Sequence, residues 1–243
     1  MSLKFDSAKK LRKEKKKHKV KSWEDYEERE QKFLKEKYLH KEPTISGSVR
    51  ITGGKAKNFK LEIPKNSRPL TDRMKVRIFD ILSQDIANKI VLDLYAGTGS
   101  FGLEALSRGA KEATFIEASK RAEPILKKNI TQTGSLSQSK IIKEKVEDFL
   151  TRAKEKDKVY EIVFMDPPYK LFNTKRVHKM QQTINTVSLL LPGIKYPKKK
   201  TFKGALIIKH PRKYPLKKLE LEKIKKVETY NFGLNSISLF IVK

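Results

Sequence analysis

The chain has 243 residues, which is enough for one sizeable domain with an appendage. Its 56 lysine and arginine residues outnumber the 28 acidic residues so far that the formal net charge is +28, and this excess predicts a polyanionic partner. No apolar run is long enough to span a bilayer and cysteine is absent, so the composition excludes disulfides and thiolate metal sites and favours a cytoplasmic protein without a membrane partner.

Residues 1–46 are predicted to form a basic, charge-segregated extension that is helical or partly disordered. Residues 1–22 hold ten basic residues and two acids, whereas residues 23–42 hold seven acids and five bases. Such segregation with few apolar residues is typical of a solvated tail, and a basic arm that orders on RNA is the alternative.

Residues 47–84 are predicted to form a hairpin and a helix that flank a site. The extended segments at 48–54 and 59–63, the first of which ends in Gly53 and Gly54, predict the hairpin. The run Arg68-Pro69-Leu70-Thr71-Asp72-Arg73 then predicts a turn that leads into a helix over roughly 72–84.

From residue 85 to residue 243, apolar strand patterns alternate with helical patterns. Such alternation predicts an α/β fold with a parallel, doubly wound sheet. The strands are expected at 89–94, 113–117, 140–144, 160–165, 203–209, 222–230 and 235–242, and the helices at 100–108, 119–131, 146–156 and 174–190.

A glycine-rich loop follows the first of these strands. The stretch Ala96-Gly97-Thr98-Gly99-Ser100-Phe101-Gly102 opens a helix directly after the strand that carries Asp93 near its end. Glycines let the backbone approach a ligand closely, and a helix N-terminus favours anionic groups. The loop therefore predicts a cofactor-binding turn.

Two cofactors are compatible with this loop. The spacing Gly97-x-Gly99-x-x-Gly102 also matches the dinucleotide fingerprint, so a nicotinamide enzyme is one alternative. S-Adenosylmethionine is favoured by Asp93 and by Glu117, which ends the second strand in a position to accept the two ribose hydroxyls. Because Glu117 by itself would serve either cofactor, a motif further along the chain has to decide between them.

That motif is Asp166-Pro167-Pro168-Tyr169, which ends the fourth strand. The prolines fix φ and supply no backbone N–H, so we expect the chain to leave the sheet in an extended turn. Asp166 and the Pro167 carbonyl could accept the two hydrogens of a nucleobase amine while the Tyr169 ring stacks on the base, a contact worth about 1–3 kcal/mol. Hydride transfer has no use for such a clamp, although an ordinary turn at a strand end is the alternative.

Three of these acids, Asp93, Glu117 and Asp166, end strands of the predicted sheet. Ligands of open parallel sheets bind beyond the carboxyl ends of the strands, where the strand order switches. We therefore expect one crevice to hold cofactor and base together. Glu147 and Asp148 follow the third strand and are further candidates for the adenine amine, although acids are also common in the first turn of a helix.

A lysine-rich insertion near 195–203 includes Lys198, Lys199 and Lys200. Most such runs are only solvated surface. This one precedes a late strand of the same sheet, so contact with phosphates is the functional alternative.

Together these motifs resemble the class I methyltransferases, and specifically the bacterial family that methylates the guanine N2 amine in small-subunit ribosomal RNA. The resemblance implies a Rossmann-like α/β fold whose doubly wound, mostly parallel seven-stranded sheet has an antiparallel last strand. Residues 1–46 and the insertion lie outside it. The stretches that carry it, within about 48–243, are Arg50-Ile51-Thr52-Gly53-Gly54, Arg68 to Arg73, Asp93 to Ala110 and Asp166-Pro167-Pro168-Tyr169.

Taken with this resemblance, the predicted site has three parts. The catalytic residues, which would hold the guanine amine, are Asp166, Pro167, Pro168 and Tyr169. The residues expected to hold S-adenosylmethionine are Asp93, Tyr95, Ala96, Gly97, Thr98, Gly99, Glu117, Glu147 and Asp148. The residues expected to contact the RNA partner, either ribosomal RNA or a small-subunit particle, are Arg50, Arg68, Thr71, Asp72, Arg73, Lys198, Lys199 and Lys200.

Two alternatives stay open at this point. A DNA adenine-N6 methyltransferase would use the same tetrapeptide, although no separate base-reading domain lies between the glycine loop and Asp166. A non-catalytic RNA-binding assembly factor would rely on the basic extension, although the loop and Asp166 are both intact. The four histidines show no ligand spacing, so no metal is expected, and the oligomeric state is left open.

Overall fold

The computed structural model describes residues 49–63, 70–153, 159–172, 177–195, 204–214, 216 and 219–243. The predicted extension at 1–46, the predicted RNA contact Arg68 and the lysines Lys198, Lys199 and Lys200 lie outside the described residues. The division of the chain near residues 46 and 84 stays a prediction.

A short antiparallel hairpin begins the described chain. Strand β1 (Val49–Arg50) pairs with strand β2 (Lys60–Leu61), and Val49 lies opposite Leu61. Both of these side chains are buried, which anchors the hairpin on the apolar core. The predicted hairpin is confirmed.

Seven further strands form one sheet in the order β5-β4-β3-β6-β7-β9-β8. Every neighbouring pair from β5 to β7 is parallel, whereas β9 is antiparallel to both β7 and β8. The predicted doubly wound sheet with an antiparallel last strand is therefore confirmed. The strands are β3 (Ile90–Leu94), β4 (Glu112–Ile116), β5 (Ser139–Ile142), β6 (Ile162–Met165), β7 (Ala205–Pro211), β8 (Ile224–Phe232) and β9 (Asn235–Val242).

The helices lie between these strands, as the alternating pattern predicts. They are α1 (Asp72–Leu82), α2 (Ser100–Ser107), α3 (Ala122–Gln132), α4 (Val146–Ala153), α5 (Val177–Ser188) and α6 (Pro192–Lys195). The start predicted at residue 119 is three residues early, because Ser119 accepts the first N–H groups of α3 instead of belonging to it. No helix in the described ranges is long and apolar enough to cross a membrane.

Side chains alternate between the two faces of the central strand β6, and each face carries its own apolar core. Ile162 and Phe164 belong to one core, whereas Val163 and Met165 belong to the other, and all four are fully buried. Burial on both faces is typical of a parallel strand covered by helices and explains the continuous apolar run in the sequence.

The strand order reverses between β3 and β6. The chain builds β4 and β5 on one side of β3 and then crosses to place β6 on the other side. Ligands of doubly wound sheets bind outside the carboxyl ends of the strands at this switch. Tyr95 follows β3 and Asp166 follows β6, so the fold brings the glycine loop and the tetrapeptide to the same crevice.

Candidate functional site

The loop after β3 turns through three residues with positive φ, namely Tyr95 at 61°, Gly97 at 53° and Gly99 at 76°. A Cβ at Gly99 would come within 2.5 Å of Leu126 Cδ1, so packing as well as conformation favours glycine there. At Gly97 the only described atom within 4 Å of an added Cβ is the Tyr95 carbonyl oxygen, at 3.9 Å. The loop therefore leaves open space in front of Gly97, which fits a bound cofactor.

Glu117, at the end of β4, holds this loop in place. Its Oε2 accepts the Gly97 N–H at 2.7 Å, and its Oε1 accepts the Ser119 N–H at 2.7 Å. Each carboxylate oxygen can accept a second hydrogen bond. Glu117 therefore keeps the acceptor capacity that the predicted contact with two ribose hydroxyls needs.

Asp93 is 1% exposed, and its Oδ2 accepts the Gly102 N–H at 2.9 Å. This bond fastens the first turn of α2 to the end of β3. Burial raises the pKa of Asp93 well above its usual range, the Gly102 N–H lowers it, and the negative charges of Asp166 and Glu117 raise it further. The charges of Asp166 and Glu117 therefore act on the Asp93 carboxyl, and a shared crevice for cofactor and base stays a prediction.

Asn129, on α3, is a loop support that the sequence did not reveal. Its Nδ2 donates to the Thr98 carbonyl at 2.9 Å and to the Glu62 carbonyl at 3.0 Å, while its Oδ1 accepts the Glu62 N–H at 2.9 Å. The fully buried amide thus ties the glycine loop to the segment that follows β2. An asparagine in an ordinary helical pattern carries no signal of this role.

The chain leaves β6 in the extended backbone that was predicted, with φ −58° and ψ 142° at Pro168, and turns only after it. The Pro168 carbonyl accepts the Leu171 N–H at 2.9 Å and starts a 3₁₀ turn over Tyr169–Leu171. Among the described residues, no hydrogen bond is formed to the Pro167 carbonyl. The Pro167 carbonyl therefore keeps both lone pairs for a ligand, as the predicted clamp requires.

Lys209, on β7, is the charged partner of Asp166. Its Nζ donates to Asp166 Oδ1 at 2.9 Å and to Oδ2 at 2.8 Å. Burial raises the pKa of Asp166, and the charge and hydrogen bonds of Lys209 oppose that rise. The sequence prediction missed Lys209, although a lysine inside the apolar run of β7 was a signal that a partner for its charge had to be near.

Tyr169 is held by a residue from the antiparallel end of the sheet. Its hydroxyl donates to Asn235 Oδ1 at the start of β9, and 38% of the Tyr169 residue is exposed. The bond fixes the phenol end of the ring while one part of the ring stays open for stacking. Asn235 was not predicted, because 66 residues separate it from Tyr169.

Of the two acids predicted after the third strand, Glu147 lies near the loop. Burial raises the pKa of Tyr95, and the negative charge of Glu147 raises it further, so the two side chains interact. Asp148, the next residue on α4, is exposed. The contacts of both acids with an adenine stay predictions.

The described residues predicted to face RNA have structural contacts of their own. Arg50 Nε donates to Asp72 Oδ2 at 2.8 Å, and the Thr71 hydroxyl accepts the Met74 N–H at the start of α1. Arg73 is exposed on α1. Contact of these residues with RNA stays a prediction.

A buried ion pair positions the hairpin that carries Arg50. Lys75 and Glu104 are both fully buried, and their charged atoms lie 3.8 Å apart. Glu104 also accepts the Thr52 N–H at 2.7 Å, which joins α2 to the hairpin. Burial lowers the pKa of Lys75, and the charges of Glu104 and Asp72 oppose that effect.

Within the part of the chain that the structure describes, no group of three or more histidine or acidic residues could hold a metal ion. The described site brings together carboxylates, a carbonyl, an aromatic ring and one ammonium.

The sequence matches a known protein family over most of its length. Residues 49–239 match the model of the family described as conserved hypothetical protein 95. The ribosomal RNA small subunit methyltransferase D of Escherichia coli K12 is 37% identical over 149 residues, which cover 60% of this chain and 70% of that protein.

Solved structures resemble the fold. A hypothetical protein of Thermus thermophilus has a TM-score of 0.62 at 30% identity and covers 79% of this chain and 98% of its own. A Streptococcus mutans protein, provisionally described as a SAM-dependent methyltransferase, has a TM-score of 0.57 at 17% identity and covers 72% of this chain and 50% of its own. At that identity the second likeness concerns the fold alone.

Proposed function

The chain belongs to the conserved hypothetical protein 95 family and to the family of ribosomal RNA small subunit methyltransferase D, and we propose that it methylates the exocyclic N2 amine of a guanine in small-subunit ribosomal RNA. The cofactor in this proposal is S-adenosylmethionine, held by the glycine loop and Glu117. We expect the protein to act in the cytoplasm, where ribosomal RNA is its partner.

The observation that carries the proposal is the position of Asp166 and Pro167 beside the glycine loop. Both follow β6, whose neighbour β3 leads into the loop at the switch in strand order. The loop leaves open space at Gly97, and Glu117 keeps acceptor capacity for the ribose. A cofactor and a base amine could therefore meet at the carboxyl ends of two adjacent strands.

When bound, S-adenosylmethionine supplies an electrophilic methyl group on a sulfonium. The guanine amine is a poor nucleophile because its lone pair is delocalised into the ring. Asp166 and the Pro167 carbonyl accept its two hydrogens, which favours a tetrahedral nitrogen with a localised lone pair, and Tyr169 stacks on the base to orient it. After transfer, the Asp166 carboxylate can accept the proton that the nitrogen releases.

RNA as the partner is supported by charge. The formal net charge of +28 is larger than solubility requires, and basic side chains such as Arg50 and Arg73 are exposed near the start of the described chain. If these charges contact phosphates, affinity should fall steeply with salt, with a log–log slope of about −0.9 for each phosphate neutralised on a duplex. A flat salt dependence would contradict this use of the charge.

The proposal is tested by methylating RNA with labelled S-adenosylmethionine. Total RNA and small-subunit particles are each incubated with the protein, and the labelled nucleosides are separated and mapped. We expect label in N2-methylguanosine and none with the Asp166→Ala variant. Label in a methylated adenosine would show that adenine and not guanine is the target. Cofactor binding without any methyl transfer would favour a non-catalytic assembly factor.

A further inference from the structure

Lys209 is an unusual residue for the strand in which it lies. Strand β7 reads Ala205–Pro211 and is apolar up to Ile208, yet the next side chain carries an ammonium that is only 8% exposed. Burying an ammonium is unfavourable unless it is paired and hydrogen-bonded. Within the described part of the chain, Asp166 is the carboxylate recorded within ion-pair distance of it.

The pairing follows from the register of the sheet. Strands β6 and β7 are parallel, with Met165 opposite Ile208, so Asp166 and Lys209 occupy the next position on each strand. The Lys209 ammonium contacts both oxygens of the Asp166 carboxylate, at 2.9 and 2.8 Å. The orientation of that carboxylate is therefore set by the backbone of two core strands.

This contact leaves Asp166 able to bind a ligand. Each carboxylate oxygen accepts up to two hydrogen bonds, and Lys209 occupies one position on each oxygen. The side chain of Asp166 is still 25% exposed. An amine hydrogen could therefore be accepted without displacing the lysine.

Of the ionisable groups described around Asp166, Lys209 is the cation. Asp93 lies on the adjacent strand β3 and Glu117 follows β4, and both are acids. His210, next to Lys209, is buried and directs its ring nitrogens to Ser238 and to the Pro211 carbonyl. Among the described groups at this edge, Lys209 is thus the positive charge that opposes the effect of burial on Asp166.

We propose that Lys209 is a positioning residue for methyl transfer, because it keeps the Asp166 carboxylate charged and correctly oriented towards the acceptor amine. The inference rests on the proposed function, in which Asp166 accepts a hydrogen of the guanine amine. In the proposed site Lys209 does not contact the base. It acts through Asp166, so its removal should matter most where Asp166 is easiest to protonate.

The first test compares Lys209→Met with Lys209→Arg in methyl transfer to RNA, measured as kcat/KM from mildly acidic to alkaline pH. Without a neighbouring cation, the partly buried Asp166 protonates at higher pH, so the acid limb of the Lys209→Met profile should move to higher pH. We expect a loss of about tenfold or more at acidic pH that shrinks as the pH rises. Lys209→Arg keeps the charge and should retain the parent profile.

A matched control removes an ion pair at the opposite edge of the same sheet. Lys89 Nζ lies 3.1 Å from Glu161 Oε1 beside the amino ends of β3 and β6. Lys89→Met should leave the pH profile unchanged. Calorimetric affinity for S-adenosylmethionine, measured for every variant, reports whether the cofactor site is still folded.

A second measurement needs no enzymatic activity. The carboxyl carbon of Asp166 can be followed by NMR as the pH is changed, with Asp166→Asn used to assign the signal. We expect its titration midpoint to be higher in Lys209→Met than in the parent protein. A third comparison does use activity: in the Asp166→Asn background, Lys209→Met should not reduce the remaining methyl transfer further, because the two residues act as a unit.

An unchanged Asp166 titration in Lys209→Met would overturn the inference. So would an activity loss that is equal at every pH and is shared by Lys209→Arg, since that pattern indicates a structural role alone. If the parent protein binds the cofactor but methylates no RNA, the proposed function fails instead, and the NMR titration still decides whether Lys209 controls the charge of Asp166.

Discussion

The Glu117 carboxylate accepts the Gly97 N–H at 2.7 Å, so the end of β4 holds the loop that follows the neighbouring strand β3. A second bond, from the Ser119 N–H at 2.7 Å, fixes the other carboxylate oxygen. One side chain therefore couples the shape of the glycine loop to the place where a cofactor ribose would bind.

Removing this carboxylate should weaken cofactor binding. We expect Glu117→Ala to lower the affinity for S-adenosylmethionine by about tenfold or more, or about 1.4 kcal/mol, because both the loop contact and the ribose acceptor are lost. Calorimetric titration measures the change. Glu123→Ala, which removes the partner of Lys143 on the surface of α3, is the control and should bind normally. Equal weakening in both variants would contradict the assignment.

The Gly99→Ala variant should be destabilised by contact as well as by backbone strain. Its Cβ would lie 2.5 Å from Leu126 Cδ1 at a φ of 76°. Overpacking a core typically costs about 1–3 kcal/mol. Gly134→Ala is the matched control, because its φ of 68° imposes similar backbone strain while no described atom lies within 4 Å of the added Cβ. Urea unfolding should show the larger loss for Gly99→Ala, and equal losses would mean that the contact relaxes freely.

Asp166→Ala should separate catalysis from cofactor binding. In the proposed function Asp166 contacts the acceptor amine and not the cofactor, so we expect methyl transfer to fall by at least about 10²-fold while S-adenosylmethionine affinity stays nearly intact. Single-turnover transfer and calorimetry on the same preparation measure the two quantities. An equal loss of both would reject the division of roles between Asp166 and the glycine loop.

Tyr169 should contribute through its ring more than through its hydroxyl. Tyr169→Phe removes the bond to Asn235 but keeps the stacking surface, whereas Tyr169→Ala removes a contact worth about 1–3 kcal/mol. We therefore expect a clear rise in the KM for RNA with alanine and a small change with phenylalanine. Asn235→Ala should resemble Tyr169→Phe, and the double variant should show no further loss if the bond is their shared contribution.

Asp93 should make stability depend on pH. Its pKa in the folded protein is raised above the usual 3.8, so above that pH the unfolded chain releases a proton that the folded protein retains. The contribution of Asp93 to stability therefore falls as the pH rises from 3.8 towards the folded-state pKa. Asp93→Asn lacks this titration. The free energy of unfolding of Asp93→Asn minus that of the parent should therefore be larger at neutral pH than at acidic pH, as measured by urea unfolding at both. A difference that is the same at both pH values would contradict the prediction.

The fold and the family could be predicted because their signals are local. The apolar run of β6 and the glycine spacing after β3 each lie within a few consecutive residues, and the strand-end acids follow in chain order. The family resemblance, the sheet and its antiparallel last strand are confirmed. The 3₁₀ turn that follows at Tyr169–Leu171 was not predicted, because it is closed by two local backbone bonds, from Leu171 to Pro168 and from Phe172 to Tyr169, that no residue pattern signals.

By itself, then, the sequence determined the motifs and the edge of the sheet at which they meet, since strand direction and chain order place parallel strand ends together. The tertiary structure alone decided which side chains contact Asp166 and Tyr169. Lys209 lies 43 residues from Asp166 and Asn235 lies 66 residues from Tyr169. The strand order β6-β7-β9 and the strand register bring these partners together. Neither the order nor the register can be read from the spacing of residues along the chain.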